Sequence, residues 1–199
     1  MKNILNTILF IFLFASISYS QSKEVIGLGS GFSKAIGNDS EIWNPGYTLN
    51  IEWFHEISND YWIGCQGIYN KWNFDINEEP ILQALSENFS MPLRIIEIVP
   101  TIRFFSPSKK YAYTSFFGQI GIGYYLIDLK GEFKTYNSNK LNSLTIKKEN
   151  KFGVNFGTGV VISNNNKVKV SIAPMFKVIF TEKDFIKYFS TDLILLFRN

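Results

Sequence analysis

From Phe152 the chain alternates strictly: Phe152, Val154, Phe156, Thr158 and Val160 fall on one side of an extended strand, and Lys151, Gly153, Asn155, Gly157 and Gly159 on the other. A period of two excludes a helix, whose apolar positions recur every three or four residues. The second face carries glycine and small polar residues instead of the lysines and glutamates expected of a water-washed exterior. About eight segments of the 199-residue chain share the pattern, so whatever it folds into is built from strands with one apolar and one small-residue face.

Glu24–Phe32 sets Ile26, Leu28 and Phe32 against Gly27, Gly29 and Gly31, and Tyr47–His55 sets Tyr47, Leu49, Ile51 and Trp53 against Thr48, Asn50 and Glu52. Arg94–Phe105 places Ile96, Ile98, Pro100, Ile102 and Phe104 opposite Glu97, Val99, Thr101 and Arg103. Tyr111–Leu126 places Phe116, Ile120, Ile122 and Tyr124 opposite Ser115, Gln119, Gly121 and Gly123. After Phe152–Ile162 come Val168–Phe180, with Lys169, Ser171, Ala173 and Lys177 on its small face, and Phe189–Phe197, with Asp192 there. In Tyr61–Phe74 both faces hold large residues and neither can be assigned.

The connections alternate in length. Those around 33–45, 75–92 and 130–149 read as long polar loops, with 182–187 a shorter fourth and a short helix expected over Glu79–Asn88; Ser58-Asn59-Asp60, Pro107–Lys110 and Asn164-Asn165-Asn166 read as tight turns. Long loops on one side and short turns on the other are the plan of an eight-stranded antiparallel up-and-down transmembrane β-barrel. Three features favour lipid outside over a soluble barrel. The small face suits an interior just wide enough for side chains to fill. The charges on that face have both signs: Glu52, Glu97 and Asp192 against Arg103, Lys169 and Lys177, with Gln119 completing a polar lumen network that plugs the barrel. Aromatic residues gather near segment ends (Trp43, Tyr47, Trp53, Tyr61, Trp62, Trp72, Tyr111, Tyr113 and Tyr124), as in membrane-interface girdles.

Residues 1–20 read as a cleaved signal peptide: Lys2, the apolar run Ile8 to Ala15 and the small-residue site Ser18-Tyr19-Ser20, with the barrel domain over 21–199. That run is shorter than the ~18 residues a membrane helix requires. Cys65 is the single cysteine, so no internal disulfide is possible, and it reads as a passive strand residue. With a net charge of +3 and no basic run beyond lysine pairs such as Lys109-Lys110 and Lys147-Lys148, nucleic acid is not an expected partner.

Ile95-Ile96-Glu97-Ile98-Val99-Pro100-Thr101-Ile102-Arg103-Phe104-Phe105, followed by the glycine-rich run Phe116 to Tyr125, resembles paired strands of the outer-membrane protein β-barrel domain family, the porin-family or PorT-like small barrels. The resemblance implies an in-strand proline at Pro100, with Pro174 a counterpart, and an accessory role in protein secretion. Arg198-Asn199 after Phe197 departs from the terminal aromatic residue many such barrels carry.

Chemistry is sparse. Gly27 to Gly31 and Gly118 to Gly123 are followed by no helix pattern, so they read as lumen-facing small residues and not phosphate cradles. His55 is the only histidine, which excludes zinc sites built from several histidines or from cysteine with histidine. A His-dependent acyl-transfer site acting on lipid A is the least favoured alternative, because His55 falls beside the turn at Ser58–Asp60 and Ser30 and Ser33 lie toward the other end. The expectation is a monomeric, non-enzymatic outer-membrane barrel without a cofactor. Its partners would be outer-membrane lipid and lipopolysaccharide, the barrel-insertion machinery, and a protein partner at extracellular loops. The candidate loop contact is Ile81, Leu82, Leu85, Phe89 and Met91. The main alternative, from another class, is a soluble periplasmic barrel binding an apolar ligand, with the two faces exchanged.

Overall fold

The computed structural model describes residues 23–37, 40–75, 89–106, 114–134, 141–163, 168–182 and 184–198. The signal segment 1–20, the helix expected over Glu79–Asn88, and Ile81, Leu82 and Leu85 lie outside the described residues, as do Tyr111, Tyr113 and the turns at Pro107–Lys110 and Asn164–Asn166.

The strands are β1 (Lys23–Ile36), β2 (Gly46–Glu56), β3 (Tyr61–Asn73), β4 (Phe89–Ser90), β5 (Pro92–Phe105), β6 (Thr114–Lys134), β7 (Leu141–Ser163), β8 (Val168–Phe180) and β9 (Phe185–Arg198). Apart from β4, each pairs antiparallel with its two neighbours, and β6 with β7 and β1 with β9 complete the circuit. The result is a closed barrel of eight long strands, and closure removes the open sheet edges. The line of paired residues Glu24, His55, Ile63, Ile102, Ile120, Phe156, Phe176 and Phe189 returns to β1 at Lys34, ten residues further on. This stagger is what tilts the strands against the barrel axis.

The faces assigned from alternation match those observed, and β3 now joins them. Trp62, Gln66, Ile68, Asn70 and Trp72 point inward and are buried, while Tyr61 and Ile63 are exposed on the outside. Trp62 and Trp72 are therefore not interface girdle residues. They share a parity with Gln66 and Asn70, and the lumen is plugged by large rings at both ends. Trp43 is no girdle residue either: it sits edge-on to Phe74, their centroids 5.8 Å apart, and packs on the upper plug.

Two apolar clusters close the lumen. At the end where β1 begins and β9 ends, called the turn end below, Val25, Phe54, Trp62, Phe117, Val161 and Leu196 are packed together. At the other, called the loop end below, Trp72, Leu93, Ile95, Tyr125, Ile179 and Tyr188 are packed together. Glycines let the wall approach these contents closely. At Gly31 a Cβ would lie 2.7 Å from Asp192 Oδ1, and at Gly121 one would lie 2.6 Å from Asn155 Oδ1. Pro100 pairs with Cys65 of β3 but leaves a gap in the β5–β6 register, and Pro174 pairs with Thr191 of β9 but leaves one in β7–β8. Each proline lacks the amide donor that one of its two ladders needs.

The connections differ from the expected alternation. Much of 130–149, read as a polar loop, is strand: β6 and β7 continue as a hairpin to Lys134 and Leu141. On the β8 side pairing starts only at Phe152, and on the β5 side it stops at Leu93 opposite Leu129. The hairpin thus rises on the order of 30 Å, measured along the strand, beyond its neighbour β8. The two-residue β4 covers its β6 edge through the pairs Phe89–Phe133 and Ser90–Glu132. Residues 141–151 of β7 have no strand partner on their other side among the described residues.

Candidate functional site

Between the two apolar plugs the lumen is polar, and the sequence-derived network is largely assembled there. The Arg103 guanidinium donates to both carboxylate oxygens of Glu52, at 3.3 and 3.0 Å, and through Nε to Gln119 Oε1 at 3.0 Å. Gln66 Nε2 donates to the same carboxylate at 2.9 Å. The guanidinium is sandwiched by the Phe54 and Phe117 rings, each centroid 4.3 Å away. Arg103 is 0% exposed and Glu52 1%, so the pair is out of water, and its bidentate geometry with further donors is the arrangement that offsets desolvation.

A second centre forms around Glu97. Lys177 Nζ lies 3.0 Å from Oε1, Tyr188 donates its hydroxyl to the same oxygen at 2.5 Å, and Asn70 donates its side-chain amide. Sequence reasoning missed Asn70 and Tyr188, along with Gln66. Their parity with inward residues was the available signal. Asp192 accepts from the Thr48 hydroxyl and has no ion pair among the described residues. Lys169 is set apart from both centres. It lies near the turn end with its ammonium 5.6 Å from the Trp62 ring centroid, and that indole stands between it and the Arg103 sandwich.

The amides of Asn50 and Asn155 and the hydroxyls of Ser171 and Ser190 are buried with no partner among the described residues. Buried groups of this kind are ordinarily satisfied by ordered water. The apolar clusters on either side enclose this polar midsection among the described residues. Among the described residues no group of three or more His, Cys, Asp and Glu is placed to hold a metal ion. His55 faces outward at the turn end with Nδ1 3.2 Å from Glu24, whereas Ser33 is buried near the loop end accepting from the Trp72 indole at 2.6 Å. The histidine and that serine are not brought together.

The exterior is apolar in a band. On β5 the outward residues run Ile96, Ile98, Pro100, Ile102 and Phe104, with Arg94 beyond one end and Ser106 beyond the other. That span falls within the ~9–11 residues with which a tilted strand crosses a bilayer. Ile122 is 68% exposed and Phe152 65%, values that water would penalise around the whole circumference. Tyr61, Phe104 and Phe197 mark the band's lower margin, and Tyr47, Tyr69, Tyr124 and Phe152 its upper one. Of the candidate loop contact, the backbone of Phe89 lies in β4 against the hairpin, and Met91 accepts at its carbonyl from the Phe74 amide at 3.2 Å.

No protein-family model matches the chain, and no curated protein does. Solved structures do. A major outer membrane protein from Thermus thermophilus aligns with TM-score 0.62 at 12% identity, covering 89% of this chain and 99% of that one. Neisserial surface protein A aligns with TM-score 0.54 at 11% identity, over 87% and 96%. Ail, the attachment invasion locus protein of Yersinia pestis, solved with the heparin analogue sucrose octasulfate, aligns with TM-score 0.53 at 15% identity, over 89% and 99%. At these identities the likeness is one of fold: the chain has the architecture of small outer-membrane β-barrels along nearly their full length.

Proposed function

We propose that this protein is a non-enzymatic barrel of a bacterial outer membrane, with a sealed lumen, that presents its loop-end segments outside the cell to contact a partner. The observation that carries the reading is the β6–β7 hairpin. It stands clear of the barrel wall, one edge covered by β4 and the other bare over residues 141–151 among the described residues. A bare edge offers backbone donors and acceptors to an incoming extended segment. The charged pairs along it, Lys147–Glu149 at 3.1 Å and Lys151–Glu182 at 3.5 Å, restrain indiscriminate pairing. The apolar band supports the membrane setting, and the tall β6–β7 hairpin at one end against the tight Ser58–Asp60 turn at the other supports loops outside with turns in the periplasm. The expected signal peptide accounts for export.

An epitope inserted between residues 137 and 138 should be labelled by antibody on intact cells. Trimming 132–144 to a short turn should leave a barrel that still migrates faster unboiled, while cells displaying it lose adhesion to protein-coated surfaces. Labelling only after permeabilisation would overturn the orientation; unchanged adhesion after trimming would overturn the contact role.

A further inference from the structure

At the loop end the outer face divides into two arcs. Across β6, β7 and β8 it is aromatic, with Tyr124, Phe152 and Phe180 in one register line that continues to Phe185 at the start of β9. Across β9, β1, β2, β3 and β5 it is basic. Lys187 and Lys34 are diagonal neighbours on β9 and β1, through the pairs Ile36–Lys187 and Lys34–Phe189. Lys71 stands directly opposite Arg94 on β3 and β5, and opposite Tyr47 on β2. Like charges directly opposite on adjacent strands are unfavourable by themselves. Asp128 stands across from Arg94, and Lys130 lies 3.6 Å from it. Lys34, Lys71 and Lys187 have no carboxylate partner among the described residues.

The height of these cations gives the excess a meaning. Each lies at or just past the upper margin of the apolar band: Lys34 follows Phe32, Lys71 follows Tyr69, and Arg94 precedes Ile96 along their strands. Tyr47 and Tyr69, their centroids 6.0 Å apart, stand just below. That is where headgroup phosphates meet a bilayer-spanning protein. At the turn end Glu24 pairs with His55 and Arg198 with Glu56.

We propose that this basic arc binds the phosphate groups of a phosphorylated glycolipid of the lipid A type in the outer leaflet. Lys71 with Arg94 would take one phosphate, and Lys34 with Lys187 a second. The two pairs sit on either side of β2, whose Tyr47 ring covers the sugar and acyl junction between them. Two cation pairs on separate strands suit a headgroup with two phosphates better than one with a single phosphodiester. The inference rests on the orientation proposed above and is independent of the hairpin's contact role.

The test uses the full barrel refolded in detergent and presented with purified bisphosphorylated lipid A, the same lipid after phosphate removal, or phosphatidylglycerol, with retained lipid counted by native mass spectrometry. Wild type should retain the bisphosphorylated form about tenfold or more over the dephosphorylated one. Lys71→Gln/Arg94→Gln should lose most of that preference, Lys71→Arg should keep it, and the unboiled gel shift should show each variant folded. The hairpin-trimmed protein should bind as wild type does, which separates this outcome from failure of the contact role. Equal retention of dephosphorylated lipid A, an unchanged preference in the glutamine variant, or equal competition by phosphatidylglycerol would each overturn the proposal.

Discussion

Replacing Arg103 with methionine should destabilise the barrel by about 3–5 kcal/mol, because Glu52 would be left buried without its cation. Glu52 is 1% exposed and would keep only the Gln66 amide as donor, while the Phe54 and Phe117 rings would lose the charge between them. Urea unfolding in detergent micelles, followed by tryptophan fluorescence, reads this as a lower midpoint. Adding Glu52→Gln to Arg103→Met should recover a large part of the loss, since the stranded charge and not the missing attraction is the main cost. Conductance in planar bilayers should stay near zero in both variants. The clusters around Phe54 and Trp62 and around Trp72 and Tyr188 close the lumen on either side of the ion pair. Steady large channels from the wild type would show that the lumen is a pore.

The second large effect belongs to the opposite face. Ile120 points outward at mid-height of the apolar band and is 52% exposed. In a bilayer, Ile120→Arg should cost about 2–4 kcal/mol, whereas Tyr61→Arg at the lower margin should cost about 0–1 kcal/mol. In a water-soluble barrel the ranking would vanish, because an exposed arginine in water is nearly neutral wherever it sits. Unfolding measured in phospholipid vesicles separates the two situations, and equal small effects at both positions would contradict a lipid-facing exterior.

The two residues also show what the sequence makes visible. Ile120 and Arg103 are one strand apart, and alternation alone sends them to opposite faces. Where one face meets lipid and the other a narrow lumen, each strand position is under one selection or the other, so the period of two is clean. It fails in β3 because the plugs need large rings: Trp62 and Trp72 at the two ends of the lumen match the size of Tyr61 and Tyr69 outside. Gln66 and Asn70 carried the missing parity. It fails again beyond Leu129, where β6 and β7 continue as a hairpin past the neighbouring strands. Backbone pairing holds Lys134 opposite Leu141 with no apolar alternation in the sequence to report it, and polar composition there reads as loop.

The lumen charges were legible as a set but not as pairs. Parity places Glu52, Glu97, Arg103, Lys177 and Asp192 inside; which carboxylate meets which cation depends on the ten-residue stagger around the barrel. That stagger brings Glu97 of β5 to Lys177 of β8 and leaves Lys169, on the same strand as Lys177, at the turn end over Trp62. The basic arc depends on the same stagger, since Lys34, Lys71, Arg94 and Lys187 are far apart in sequence and share a level only once the barrel is closed.

The single cysteine offers the most direct measurement of the central claim, that the alternating apolar face meets lipid. Cys65 lies on the outer face of β3 between Trp53 of β2 and Pro100 of β5, well inside the apolar band. A nitroxide attached to it in the unfolded chain and carried into vesicles on refolding should be relaxed strongly by oxygen and weakly by a water-soluble nickel chelate. The reverse order, with the chelate dominating, would mean that this face is bathed in water and that the barrel does not span a membrane.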